Sequence, residues 1–133
     1  MQIKGYLFFV FIIFLTGCSV KQPVVTKSAI ITFKTKKFKF NDQGFIEKYD
    51  DKVKLTILAL GVTESEITIY KDKICKNSIS CFDSDHFNEQ FLDESYEKDF
   101  LYNLFNKEDI DFKDKEHRVF IKVIYNQKEK GEY

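Results

Sequence analysis

Few side chains in this sequence could do chemistry. There are three cysteines and two histidines, with 21 aspartates and glutamates set against 21 lysines and arginines. Cys75 and Cys81 stand at the ends of Cys-Lys-Asn-Ser-Ile-Ser-Cys, with the turn-forming Asn77 and Ser78 between them. A dithiol redox centre usually keeps two residues between its cysteines, and zinc would require two more ligands nearby. His86, five residues after Cys81, is the one candidate ligand, and it reads more simply as a polar position on a helix face. In an oxidising compartment the pair is expected as a disulfide, and closing so short a loop contributes roughly 2.4 kcal/mol through chain entropy. His117 begins a strand beside Arg118 and is read as a solvent-facing strand end. The acids from Asp83 to Asp111 follow no calcium-loop spacing and are expected to cap helices and solvate a face. The chain carries neither a Gly-x-Ser-x-Gly elbow nor a phosphate-cradling glycine loop. Nothing assembles a nucleophile, a base and an oxyanion site, so the expectation is no enzyme, no metal and no cofactor.

The third cysteine lies in a different context. Met1 to Lys4 carry one positive charge, and the ten residues Tyr6 to Leu15 form an uninterrupted apolar run. That is signal-peptide length, whereas a bilayer-spanning helix requires about 20 residues. The run ends in Leu15-Thr16-Gly17-Cys18, which resembles the bacterial lipobox. The resemblance implies that residues 1–17 are a cleaved leader and that Cys18 becomes a covalently lipidated N-terminus. It places the chain in the cell envelope, attached to a membrane through its lipid anchor and facing the periplasm. Ser19, where an aspartate would favour inner-membrane retention, leans toward the outer membrane. The alternatives are a plain secretory signal that ends near a cysteine, or an uncleaved anchor, which the short run disfavours.

Removing Lys4 with the leader leaves 20 basic and 21 acidic residues, a net charge of −1. This balance, together with export, argues against a nucleic-acid partner. Residues 18–28 hold the only proline, Pro23, show no sustained period and read as the acylated N-terminus and a tether. Residues 29–125 read as a single domain, and 126–133 as a polar tail.

The elements that must position these residues follow from periodicity. Ile31 and Phe33 share a strand face; Phe38 and Phe40 alternate in the opposite parity, so residues 35–37 must bend or bulge. Asn41-Asp42-Gln43-Gly44 reads as a turn. Phe45–Tyr49 and Lys52–Leu60 read as a hairpin across Asp50-Asp51, with Val53, Leu55, Ile57 and Ala59 on one face. Further alternation runs through Ile67 and Ile69 and into a short strand, Lys73–Cys75. After Cys81 the period becomes helical. Asp83 or Ser84 caps one helix ending near Leu92, and Ser95 caps a second whose stripe is Tyr96, Phe100, Leu101, Leu104 and Phe105, stopping at Asn106. Strands return at Asp109–Lys113 and His117–Tyr125. Grouped strands with inserted helices predict an α+β domain: a curved antiparallel sheet of about six or seven strands, with two short helices placed before the last strands and packed on its concave face.

One segment is more apolar than a half-buried strand requires. Leu58-Ala59-Leu60-Gly61-Val62 is apolar on both faces, which suggests Leu58, Leu60 and Val62 as the rim of a groove for an acyl chain or apolar peptide. An ordinary phenylalanine-rich core is the simpler reading. The order of strands, the Leu60-Gly61-Val62 turn, more strands, then the Phe91-Leu92 and Leu101–Phe105 helices resembles a shortened form of the lipoprotein-localisation receptor LolB family. That resemblance implies a half-barrel that accepts acylated proteins, although this chain has no tryptophan and is short for that fold. The strings Asp42-Gln43-Gly44-Phe45-Ile46 and Lys73-Ile74-Cys75, followed by Phe87-Asn88 and Phe91-Leu92, resemble small lipoproteins of the Campylobacter and Helicobacter group. Two functions follow as expectations. One is an anchored lipoprotein that binds a lipid or acylated protein in an apolar groove. The other is a non-enzymatic structural or assembly lipoprotein that binds another envelope protein.

Overall fold

The computed structural model describes residues 17, 22–59 and 62–126. Residues 1–16 of the leader, 18–21 with Cys18, 60–61 with Leu60, and the tail residues 127–133 lie outside the described residues. The described chain runs β1 (Val25–Lys34), β2 (Lys39–Lys48), β3 (Val53–Ala59), β4 (Val62–Ile69), β5 (Lys73–Lys76), β6 (Ser80–Asp83), α1 (Ser84–Phe91), α2 (Phe100–Phe105), β7 (Asp111–Asp114) and β8 (Val119–Tyr125). All eight strands form one antiparallel sheet in the order β6-β5-β4-β3-β2-β1-β8-β7. Only the β1–β8 pairing is non-local in sequence; the other pairings join strands adjacent in sequence. The sheet is curved, as the grouped strands with inserted helices predict, and the helices pack on the face that carries its buried apolar residues.

Alternation decides which face is buried. Ala29, Ile31 and Phe33 of β1, Val53, Leu55 and Ile57 of β3, and Val119, Ile121 and Val123 of β8 all point to the concave side and are buried. Leu101, Leu104 and Phe105 of α2 close over them. Phe105 is fully buried and stacks on Phe33 at 6.3 Å.

Four local details differ from the sequence reading. First, β1 begins at Val25, inside the stretch read as tether, because Val25 to Ser28 pair with Lys48 to Phe45 and extend the long β1–β2 hairpin. Second, Asn41 to Gly44 are strand and not turn. The chain reverses instead at residues 35–38, where Thr35 Oγ1 accepts the backbone N–H groups of Lys37 and Phe38. Gly44 is there for space: a Cβ would stand 2.1 Å from the Thr56 carbonyl oxygen of β3. Third, Ser80–Asp83 form an edge strand, β6, before the helix begins. Fourth, α2 starts at Phe100, well after Ser95. Residues 93–99 are turns, pinned by the buried Asn88 of α1, whose Nδ2 donates to Glu97 O at 2.8 Å. Ser95 fails as a cap because its hydroxyl and its N–H both donate to Asp93 Oδ2.

Candidate functional site: an aromatic cavity on the concave face

The β5–β6 hairpin supplies one wall. Asn77 and Ser78 both take positive φ (53° and 58°), and Ile79 N–H donates to Lys76 O, so the reversal is a mirror-image turn whose twist suits paired strands. Cys75 and Cys81 sit opposite each other across this hairpin, with Cα atoms 4.0 Å apart, and are joined as a disulfide. Directly opposed residues share a face, so Ile74 and Phe82 both point to the concave side along with Ile69. The disulfide thus holds β6 where its Phe82 ring can serve as wall.

Helix α1 forms the roof. Phe87 and Phe91 lie one turn apart with ring centroids 4.8 Å from each other. Phe91 meets Phe82 edge-on at 5.9 Å and Phe38 at the same distance. Phe38 and Phe40 come from the first turn and β2 and close the far side. Ser65 and Ile67 of β4 lie between. Together they line an open cavity of about 330 Å³ whose described lining is apolar except for Ser65 and Lys76. That is at the lower end of the volume range, about 300–1,000 Å³, in which proteins bind small ligands.

Of the expected rim, Val62 is 69% exposed and Leu58 is half-buried; neither is among the lining residues. Leu60 lies outside the described residues. The apolar run marks apolar surface, not the cavity's described lining. The wall itself, however, comes from Phe38, Phe82, Phe87 and Phe91, which only the folded topology brings together. His86 stacks on Phe82 at 6.0 Å and is exposed. Among the described residues no cluster of histidine, cysteine or carboxylate side chains could hold a metal ion.

A second constellation was not legible in the sequence. His117 is only a quarter exposed and lies between two carboxylates. Its Nδ1 is 2.7 Å from Asp114 Oδ2, and its Nε2 is 3.3 Å from Asp93 Oδ2. Tyr96 Oη donates to the same Asp114 oxygen at 2.5 Å. The Tyr96 and His117 hydrogen bonds hold Asp114 down to about pH 2. Hydrogen bonding to Asp114 raises the His117 pKa. Burial, and then the Asp114 hydrogen bond, raise that of Tyr96. Both ring nitrogens are engaged by carboxylates, so no ring nitrogen is left to activate a nucleophile. The arrangement ties the turns after α1 to the β7–β8 turn. The spacing Asp114-x-x-His117 is the one local signal that could have revealed half of it.

Comparison with protein-family models, with curated proteins and with solved structures finds no match to this chain. Among the described residues no helix is long and apolar enough to cross a membrane.

Proposed function

We propose that this chain is an envelope lipoprotein, anchored through Cys18 and facing the periplasm, whose domain binds an apolar chain (a lipid or the acyl group of a protein) in the aromatic cavity. The observation that carries the binding reading is the cavity itself: about 330 Å³ between five phenylalanines and the sheet, with a lining that is almost wholly apolar. Apolar surface left open to water over that volume favours an occupant that covers it. The anchor reading rests on the leader and on Leu15-Thr16-Gly17-Cys18.

One observation favours the assembly-lipoprotein reading as a second function. Ile79 is 89% exposed and Val62 69%, each at or beside a strand connection. Such apolar tips suit contact with another envelope protein.

Two measurements test the parts separately. Membrane fractionation of Cys18→Ala should move the protein out of the membrane pellet; undiminished membrane association would reject the lipid anchor. Binding of a fluorescent acyl probe should saturate on the wild-type domain and be lost in Ser65→Trp, which fills the cavity from its floor. An unchanged probe signal in a folded Ser65→Trp protein would place the probe elsewhere.

A further inference from the structure

Lys76 is the one cation lining the cavity among its described residues, and its position is set by the ladder and not by chance of rotamer. It pairs with Ile67 across β4–β5, and opposed residues share a face, so its stem projects on the concave side beside the lining Ile67 and Ser65. Its place at the last position of β5, against the disulfide-bridged turn, fixes the backbone from which it projects. Elsewhere on the sheet Lys54 pairs with Glu66, Lys98 with Asp83, and Lys34 lies over Phe120. Lys76 has no carboxylate within ion-pair distance and no ring beneath it among the described residues. A four-carbon stem along apolar surface with a free ammonium at the edge is the arrangement that receives an amphiphile head.

Resting on the cavity-binding reading above, we infer that the occupant is a single-chain amphiphile with an anionic head, a free long-chain fatty acid, its chain among Phe38, Phe82, Phe87 and Phe91 and its carboxylate at Lys76. Two features select this class. The volume suits one chain and not the several chains of a diacylated or triacylated molecule. The lining offers one cation and one hydroxyl, Ser65, and no carboxylate that would repel an anion. An alcohol or ester of the same chain length would fill the same walls yet leave Lys76 without a counter-ion.

The test is competition by oleic acid and by oleyl alcohol against a fluorescent fatty-acid probe on the full domain, in wild type and in Lys76→Gln. The wild type should prefer the acid by about three- to tenfold, the range for a charge-assisted contact at a partly exposed site. The preference should shrink as salt is raised. In Lys76→Gln the acid should fall to the affinity of the alcohol, while the alcohol binds as before. Equal binding of acid and alcohol by the wild type would overturn the carboxylate inference and leave the cavity reading standing. No displacement by either, with the protein folded, would remove the cavity reading itself. A preference for the acid that survives in Lys76→Gln would assign the head to another group. Lys76 is exposed at a strand end, so its replacement is compatible with the fold, and a thermal melt of the variant checks this.

Discussion

The concave face ends in two unlike regions, separated by one residue of the chain. Phe91 belongs to the aromatic cavity, Leu92 is core, and Asp93 belongs to the His117 cluster. On the cavity side the side chains are large, apolar and incompletely packed, and the wall is secured covalently by Cys75–Cys81. On the other side the contacts are short, polar and ionic, and His117 has both ring nitrogens engaged. The difference teaches how a small sheet can keep an unfilled volume. Apolar contacts are non-directional and would let the roof collapse inward. Directional bonds from Asn88 to Glu97 and from His117 to Asp93 hold the segment that follows the roof at fixed distances.

The largest expected effect comes from cutting the covalent wall. Cys75→Ala/Cys81→Ala should lower stability by roughly 2.4 kcal/mol through loop entropy, seen as a melting temperature about 10–15 °C lower. The β5–β6 pairing has only four residues per strand, so Phe82 should become more mobile and acyl-probe binding should weaken in parallel. The pH dependence of stability, which originates on the other side of Leu92, should keep its shape. A double variant that melts with the wild type would mean that the hairpin turn alone holds the wall.

A smaller effect should arise at the polar side, and its sign differs between acid and base. His117 has a raised pKa in the fold, so its contribution is fully present below its ordinary value of 6.5 and is lost as pH rises through the raised value. Asp114 is lowered from 3.8 to about 2, so its contribution is present above 3.8 and is lost as pH falls toward 2. Asp93 is lowered by its Ser95 hydrogen bonds, with His117 and Lys36 adding to the shift, and acts in the same sense as Asp114. The cluster should therefore stabilise most between about pH 4 and 6.5. Melting temperatures of the wild type and His117→Gln, compared at pH 5.5 and pH 9, should differ more at pH 5.5. A constant difference would show that the imidazole acts only by packing.

The same contrast separates what the sequence showed from what it hid. The concave-face positions in β3 and β8 were legible because period-two alternation is local and one residue of error would turn the whole pattern outward. The disulfide was legible because two cysteines with turn formers between them leave few alternatives. Gly44 misled because glycine serves both positive φ and close approach, and only β3, with the Thr56 carbonyl against it, reveals which. The β6 strand is four residues long and runs directly into α1, too short for a period to register. His117 looked like a strand end because Asp93 reaches it from 24 residues away, through turns no pattern encodes. A groove was expected at Leu58, Leu60 and Val62, whereas the cavity's described walls come from elsewhere and depend on non-local approach of aromatic side chains.

The smallest effect should lie in the turn between the disulfide cysteines, and it sharpens the comparison by strengthening the cavity wall without touching the cavity. Asn77 and Ser78 both hold positive φ, and this turn type favours Asn followed by Gly. Asparagine tolerates that region through its short polar side chain, and its Oδ1 here accepts the Glu66 N–H at 2.9 Å, so the first position is already suited. Serine at the second position carries a Cβ penalty of about 1–2 kcal/mol that glycine does not. Glycine in turn loses more backbone entropy on folding, about 0.5–1 kcal/mol. The balance predicts that Ser78→Gly stabilises by about 0.5 kcal/mol, a melting temperature higher by about 2–4 °C. Ser78 is exposed and makes no side-chain hydrogen bond among the described residues, so nothing else is lost. The gain should shrink in Cys75→Ala/Cys81→Ala, because without the covalent link the unfolded loop is freer and glycine loses more entropy on folding. A destabilised Ser78→Gly protein would mean that the turn is held by its neighbours in a conformation that glycine relaxes.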